Sequence, residues 1–193
     1  MEFIKLHIGG KEAHPEWKIL DVEERPEVDF IGNATCLEQF EENSVDALYA
    51  SHVLEHFHHS LNNELIQTLT EWHRVLKPGG KLYISVPDLQ VLCWLYLNPN
   101  LTPLERHYLM RIIFGAHSNE YDVHKVGFDF GILAMYLEEA GFEEYEPVSE
   151  FGLFNDCSSM RLMDTLISLN VIATKSDIHS ESEENQNLIQ EEA

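Results

Sequence analysis

Residues 44–57 read SVDALYASHVLEHF, residues 74–80 RVLKPGG and residues 81–88 KLYISVPD. Two short apolar runs, 45–50 and 81–86, bracket one strongly helical segment. Strand, crossover helix and strand are the unit of a parallel sheet. Ser60 is placed to cap the helix, with Leu61, Leu65, Leu69, Trp72 and Leu76 on one face. Pro78-Gly79-Gly80 stops it. Just past the first strand stand Ser51, His52, Glu55 and His56. Open α/β sheets bind ligands beyond the carboxyl ends of their strands. The stretch therefore supplies an architecture and a candidate site together.

Working outward, residues 3–8 (FIKLHI) form a first strand ending at Gly9-Gly10, and residues 17–21 (WKILD) a second ending at Asp21. Only GGKEAHPE separates them. A parallel crossover normally takes a dozen or more residues, and Pro15 opposes a long helix there. Either the connection is trimmed or the first strand is misplaced; the strand is kept. Residues 28–32 form a third strand, and 37–40 a brief helical or loop passage. Helices are expected over 88–97, over 104–114 with Pro103 in the first turn, and over 130–140 with Gly141 just beyond. Residues 144–150 and 167–174 form a closing strand pair. It has no full crossover helix between its members, which favours antiparallel pairing. Residues 1–175 make one domain, with 98–128 a candidate insert or lid; 176–193 read as an acidic disordered tail.

The chain has 193 residues and a formal net charge of −22. Such a surface repels nucleic acid and anionic membranes. We expect a small-molecule substrate, neither of those partners, and a cytoplasmic location. The sequence is silent on oligomeric state. Cys36, Cys93 and Cys157 are too scattered for a disulfide framework or a CxxC site and read as small buried hydrophobes.

The ordered set LHIGG, ILD, Asn33-Ala34, SHVLEH, LKPGGKLYISVPD, AGF at 140–142 and a terminal ISLNVIAT resembles the class I S-adenosylmethionine-dependent methyltransferases. The nearest likeness is to the small type 11-like group with LEH and LKPGG segments. The resemblance spans residues 3–174. It implies an α/β, Rossmann-like, seven-stranded mostly parallel sheet of order 3-2-1-4-5-7-6, with strand 7 antiparallel and helices on both faces. It implies methyl transfer from S-adenosylmethionine.

By that resemblance Gly9 and Gly10 pass under the cofactor's methionine and ribose. The family's third glycine is Lys11 here, and its first-strand acid is His7. Asp21 resembles the ribose-binding acid, with Glu23 and Glu24 as neighbouring alternatives. Asn33 takes the place of an acid facing the adenine amino group, and Leu37 can pack on the adenine face. Ser51 and His52 line the methyl-donor end. Glu55, Asp88 and Tyr121 are candidates for acceptor binding. His52, His56 and His124 are alternative general bases. Glu55 and His56 can equally be structural, locking the sheet-to-helix turn.

HVLEH also matches the H-x-x-E-H metallopeptidase pattern. That chemistry needs both histidines on one helical face plus a third ligand. His52 lies at a strand end, before the helix, so we assign no metal site; a non-catalytic or Mg²⁺-like divalent ion at Glu55 and His56 stays open, and His58 and His59 next door could attract metal adventitiously. A cofactor-binding module without turnover, and less readily a metal-dependent hydrolase, are the competing readings.

Overall fold

The computed structural model describes residues 3–119 and 121–176. The expected acidic tail, but for Ser176, lies outside the described residues. The strands are β1 (Lys5–Ile8), β2 (Lys18–Asp21), β3 (Phe30–Ile31), β4 (Val45–Ser51), β5 (Leu76–Pro87), β6 (Glu144–Val148) and β7 (Ser168–Thr174). They form one seven-stranded sheet of order 3-2-1-4-5-7-6. Pairing is parallel from β3 to β5, and β7 runs antiparallel to both β5 and β6. This is the expected sheet. A two-stranded hairpin, Arg161–Leu162 with Thr165–Leu166, lies apart from it.

The trimmed connection is real. β1 and β2 pair in parallel, Leu6 beside Lys18, with only turns and an isolated bridge between His14 and Trp17 joining them. The sheet face there is covered by aromatic residues from elsewhere. Trp17, Tyr49 and Tyr83 pack with Phe151, Leu153 and Phe154, from the segment between β6 and β7. Sequence periodicity gave no sign that this irregular segment closes a core.

On the other face α1 (Glu64–Val75) and α4 (Phe130–Glu139) pack on the sheet, burying Leu65, Leu69, Trp72, Leu133 and Leu137. Ser60 does not cap α1. Asn62 and Asn63 adopt left-handed conformations, the helix starts at Glu64, and Leu61 is left 57% exposed. The Glu64 carboxylate instead accepts from His58 N at 2.7 Å. Residues 37–40 form turns rather than a helix. α2 (Leu89–Tyr96) and α3 (Pro103–Phe114) pack on each other through Leu92, Leu95 and Leu109. Thr102 and Glu105 form a capping box at α3. Cys36 and Cys93 are exposed, against expectation, because each sits on the outer side of its turn or helix. No helix among the described residues is long and apolar enough to cross a membrane.

Lys175 fastens the last strand to the sheet-facing helix. It is 6% exposed, and its ammonium donates to His73 O and Asn43 Oδ1, each at 2.8 Å. A cation at a helix C-terminus is favoured by the helix dipole. Lys175→Met keeps the length and removes the donors. We expect a loss of about 2 kcal/mol, the usual worth of hydrogen bonds from a charged group, read as a lower urea midpoint with an unchanged slope.

Candidate active site

The strand order reverses between β1 and β4, and a cleft of about 920 Å³ opens at their carboxyl ends. Among the expected residues Gly9, Asp21, Asn33, Ser51, His52, His56 and Tyr121 line it, whereas Gly10, Glu55, Asp88 and His124 do not.

Gly9 turns the chain out of β1 with φ +71°, the left-handed region where a side chain is strained. Gly10 is needed for packing: a Cβ there would stand 2.9 Å from the His7 ring. Asp21 ends β2 at 8% exposure, accepting from Glu23 N and from Arg25 Nη2, both at 2.9 Å. The same Arg25 nitrogen donates to Gly10 O at 2.7 Å. Arg25, which the sequence did not single out, thus ties the glycine turn to the strand-end acid. Asn33 uses its side-chain oxygen to accept from Thr35 N at 3.0 Å. Its NH₂ is available as a donor, and the oxygen keeps a second lone pair. Leu37 is fully buried in the core and does not reach the cleft.

Asp88 is a helix cap: its carboxylate accepts from Val91 N at 3.1 Å at the start of α2. The loop carrying Tyr121 is held by Asp122, which accepts from Ala116 N, Ser118 N and Ser118 Oγ. Its far end is pinned to the start of α2, where Leu89 N donates to Phe128 O at 2.8 Å.

The histidines offered as alternatives form one cluster around Glu55. His52 follows β4 with φ +55°. Its Nε2 lies 3.0 Å from Ser168 Oγ, and that hydroxyl donates its hydrogen to Cys157 O at 2.7 Å. Nε2 is therefore the protonated nitrogen, and Nδ1 presents a lone pair 3.4 Å from Glu55 Oε1. His56 Nδ1 lies 3.2 Å from Val123 O, so it carries the proton and leaves Nε2 free. His124 approaches from the loop, Nε2 3.9 Å from Glu55 Oε1 and its ring 4.9 Å from that of His56. Glu55 is 1% exposed and neither carboxylate oxygen has a hydrogen-bond partner among the described residues. Burial raises its pKa to about 8 and lowers that of His52 to about 4; His56 and His124 are also lowered by burial. At neutral pH all three imidazoles are uncharged.

Leu54–His56 is a single 3₁₀ turn, and His52 precedes it in a left-handed conformation. The helical H-x-x-E-H geometry of a zinc peptidase is therefore absent here. Sequence reasoning also missed a wall of the cleft: Phe154, Asn155, Asp156, Cys157 and Met160, from the segment that closes the aromatic face. Asp156 accepts from Tyr49 OH at 2.8 Å and Ser158 N at 2.9 Å.

Residues 13–84 match the family model of a methyltransferase domain. The chain has the class I methyltransferase fold. The CurJ carbon methyltransferase aligns over 91% of this chain and 49% of its own, with 15% identity and a TM-score of 0.54. A Thermotoga maritima protein described as a possible histamine N-methyltransferase aligns over 91% and 84%, at 18% identity and a TM-score of 0.57. The Burkholderia thailandensis 1,6-didemethyltoxoflavin-N1-methyltransferase, with bound S-adenosylhomocysteine, aligns over 91% and 72%, at 19% identity and a TM-score of 0.56. The chain thus spans about half the length of the first of these methyltransferases. No curated protein matches it in sequence.

In this methyltransferase fold His7 sits at the cleft floor, 6% exposed, and burial pushes its pKa from 6.5 to about 4, partly offset by the Asp156 carboxylate. The unfolded chain binds a proton there below about 6.5 and the folded chain does not until about 4. Acidification across that window therefore destabilises the fold. The difference corresponds to about 3 kcal/mol. We expect His7→Leu to lose that much less stability than the parent between pH 6.5 and 4, measured by denaturant unfolding at each pH.

Proposed function

We propose that the protein transfers the methyl group of S-adenosylmethionine to a small-molecule or sugar-like acceptor, at oxygen. The observation that carries this reading is the cleft over the β1/β4 reversal, with Gly9, Asp21, Asn33 and His52 around one rim. When bound, the cofactor supplies an electrophilic methyl group on a positively charged sulfur. The cleft walls fit it: Glu12, Asp21, Glu23, Glu64, Asp122 and Asp156 are opposed by Lys11 and Lys125 alone. Such a wall favours a cationic cofactor over its neutral product, which eases release.

Asp21 accepts hydrogen bonds from the ribose hydroxyls while Arg25 holds it in place. The Asn33 NH₂ donates to an adenine ring nitrogen. His7 is uncharged and cannot replace the first-strand acid, so Asp156 is assigned the methionine ammonium. Positioning can supply roughly 7–11 kcal/mol of the barrier in favourable cases. His56, with Nδ1–H fixed on Val123 O and Nε2 free beside the cleft, is the base that takes a hydroxyl proton. The neighbours named above are carbon and nitrogen methyltransferases. Oxygen is the reading that this neutral imidazole supports. The acidic walls argue against polyanionic acceptors.

Calorimetry with S-adenosylhomocysteine tests the cofactor half. One equivalent should bind the parent, and Asp21→Asn should bind at least tenfold more weakly, the worth of a lost charge-assisted hydrogen bond. Asp156→Asn should weaken S-adenosylmethionine similarly, with thermal unfolding confirming that both variants are folded. Folded parent protein that binds neither ligand would sink the proposal. Lys11 and His7, where the family carries glycine and an acid, favour a second reading, cofactor binding without turnover. Binding with no methylated product across a broad panel of hydroxyl acceptors would select it.

A further inference from the structure

We propose that Glu55, His56 and His124, with His52 as a fourth donor, form a binding site for a divalent transition-metal ion of the imidazole-preferring kind, such as Zn²⁺ or Co²⁺. The ligand atoms of Glu55, His56 and His124 all lie within 4.8 Å of one another. His52 Nδ1 stands 3.4 Å from Glu55 Oε1 on another side of the carboxylate. Ligands on a four-coordinate ion with bonds of roughly 2.0–2.1 Å stand a little over 3 Å apart. Small side-chain rotations close the difference.

The cluster has what an ion requires and an ordinary polar core avoids. A carboxylate at 1% exposure has no hydrogen-bond partner among the described residues. Buried polar groups without partners are costly, and native interiors seldom keep them. His52 Nδ1, 3.4 Å away, presents a lone pair and cannot donate to a carboxylate; without an ion the space between them is left to a proton on Glu55. Each of two imidazoles is held from behind: His56 Nδ1–H by Val123 O and His52 Nε2–H by Ser168 Oγ. A ligating histidine is normally oriented in this way, its other nitrogen donating to a fixed acceptor. Nitrogen donors with one carboxylate select zinc-like ions over Mg²⁺, which prefers oxygen.

The ligands come from two elements, the turn after β4 and the loop ending at Phe128. Among the described residues, their backbone tie at this point is Lys125 N to Glu55 O, 2.7 Å. An ion would add a cross-link there. His56 Nε2 is also the base of the methyl-transfer reading, and one lone pair cannot serve both, so an occupied site would silence that base. That consequence, unlike the binding itself, rests on the methyl-transfer reading.

The test is titration of chelator-treated, full-length protein with Co²⁺ and Zn²⁺, without cofactor. We expect one equivalent, visible Co²⁺ absorption, a higher Tm, and no comparable response to Mg²⁺. Glu55→Gln and His124→Asn should each weaken binding at least tenfold, while His59→Ala, at the neighbouring exposed histidine, should leave it unchanged. Should the ligand variants fail to fold, paramagnetic broadening of the His56 and His124 ring resonances by Co²⁺ in the parent protein serves instead. Absence of binding overturns the proposal, as does binding that ignores both substitutions or broadens only His58 and His59. Neither result bears on S-adenosylhomocysteine binding, which is measured separately.

Discussion

Tyr49 lies in the middle strand of the sheet, fully buried, and its hydroxyl must find a partner. It finds Asp156 at 2.8 Å and Ser158 at 3.2 Å, more than a hundred residues away in sequence. That bond fixes where the segment between β6 and β7 crosses the sheet. With β1 and β2 joined by a connection too short for a crossover helix, this face would otherwise be bare. Phe151 and Phe154 close it against Trp17, Tyr49 and Tyr83. The same crossing delivers Asp156, Cys157 and Met160 to the cleft. Core closure and site construction are here one event.

Charge is organised around the same cleft. The acidity is strong overall, 34 Asp and Glu against 12 Lys and Arg. Around the glycine turn it is directed: Arg25 faces Asp21, Glu23 and Glu27 and donates to Gly10 O. One guanidinium bonded to three carboxylates and a carbonyl has little freedom to move. Asp21 is thereby oriented before any ligand arrives, which reduces the ordering that binding must cost.

The parts of the fold legible in the sequence are those with short-range periodicity. Alternating and continuous apolar runs located each strand of the sheet to within a few residues, and glycines marked the turn after β1. What was not legible depends on partners distant in sequence. Ser60 looks like a cap, but left-handed Asn62 and Asn63 shift the helix start to Glu64. Asp88 looks like a cleft acid, but it satisfies a backbone N–H of α2. Phe154 and Asp156 sit in a stretch with no period at all. His124 is one loop histidine among several until the fold sets it against Glu55.

That juxtaposition changes how the HVLEH segment functions. In a helix its two histidines would share one face and its glutamate would stand clear as a base. The left-handed turn at His52 and the 3₁₀ turn after it instead direct Glu55 inward, with imidazoles on its open sides. A glutamate so buried makes a poor water-activating base, because solvent does not reach it. It is well suited to hold something small and positive, or to stay protonated. The loop that brings His124 also brings Tyr121 and Lys125 to the cleft. One side of the cleft is therefore completed by a loop whose far end is pinned at Phe128, while the other is built from strand termini. Strand ends hold their groups rigidly and loops vary more freely, which on the proposed reading gives the strand ends to the cofactor and the loop to the acceptor.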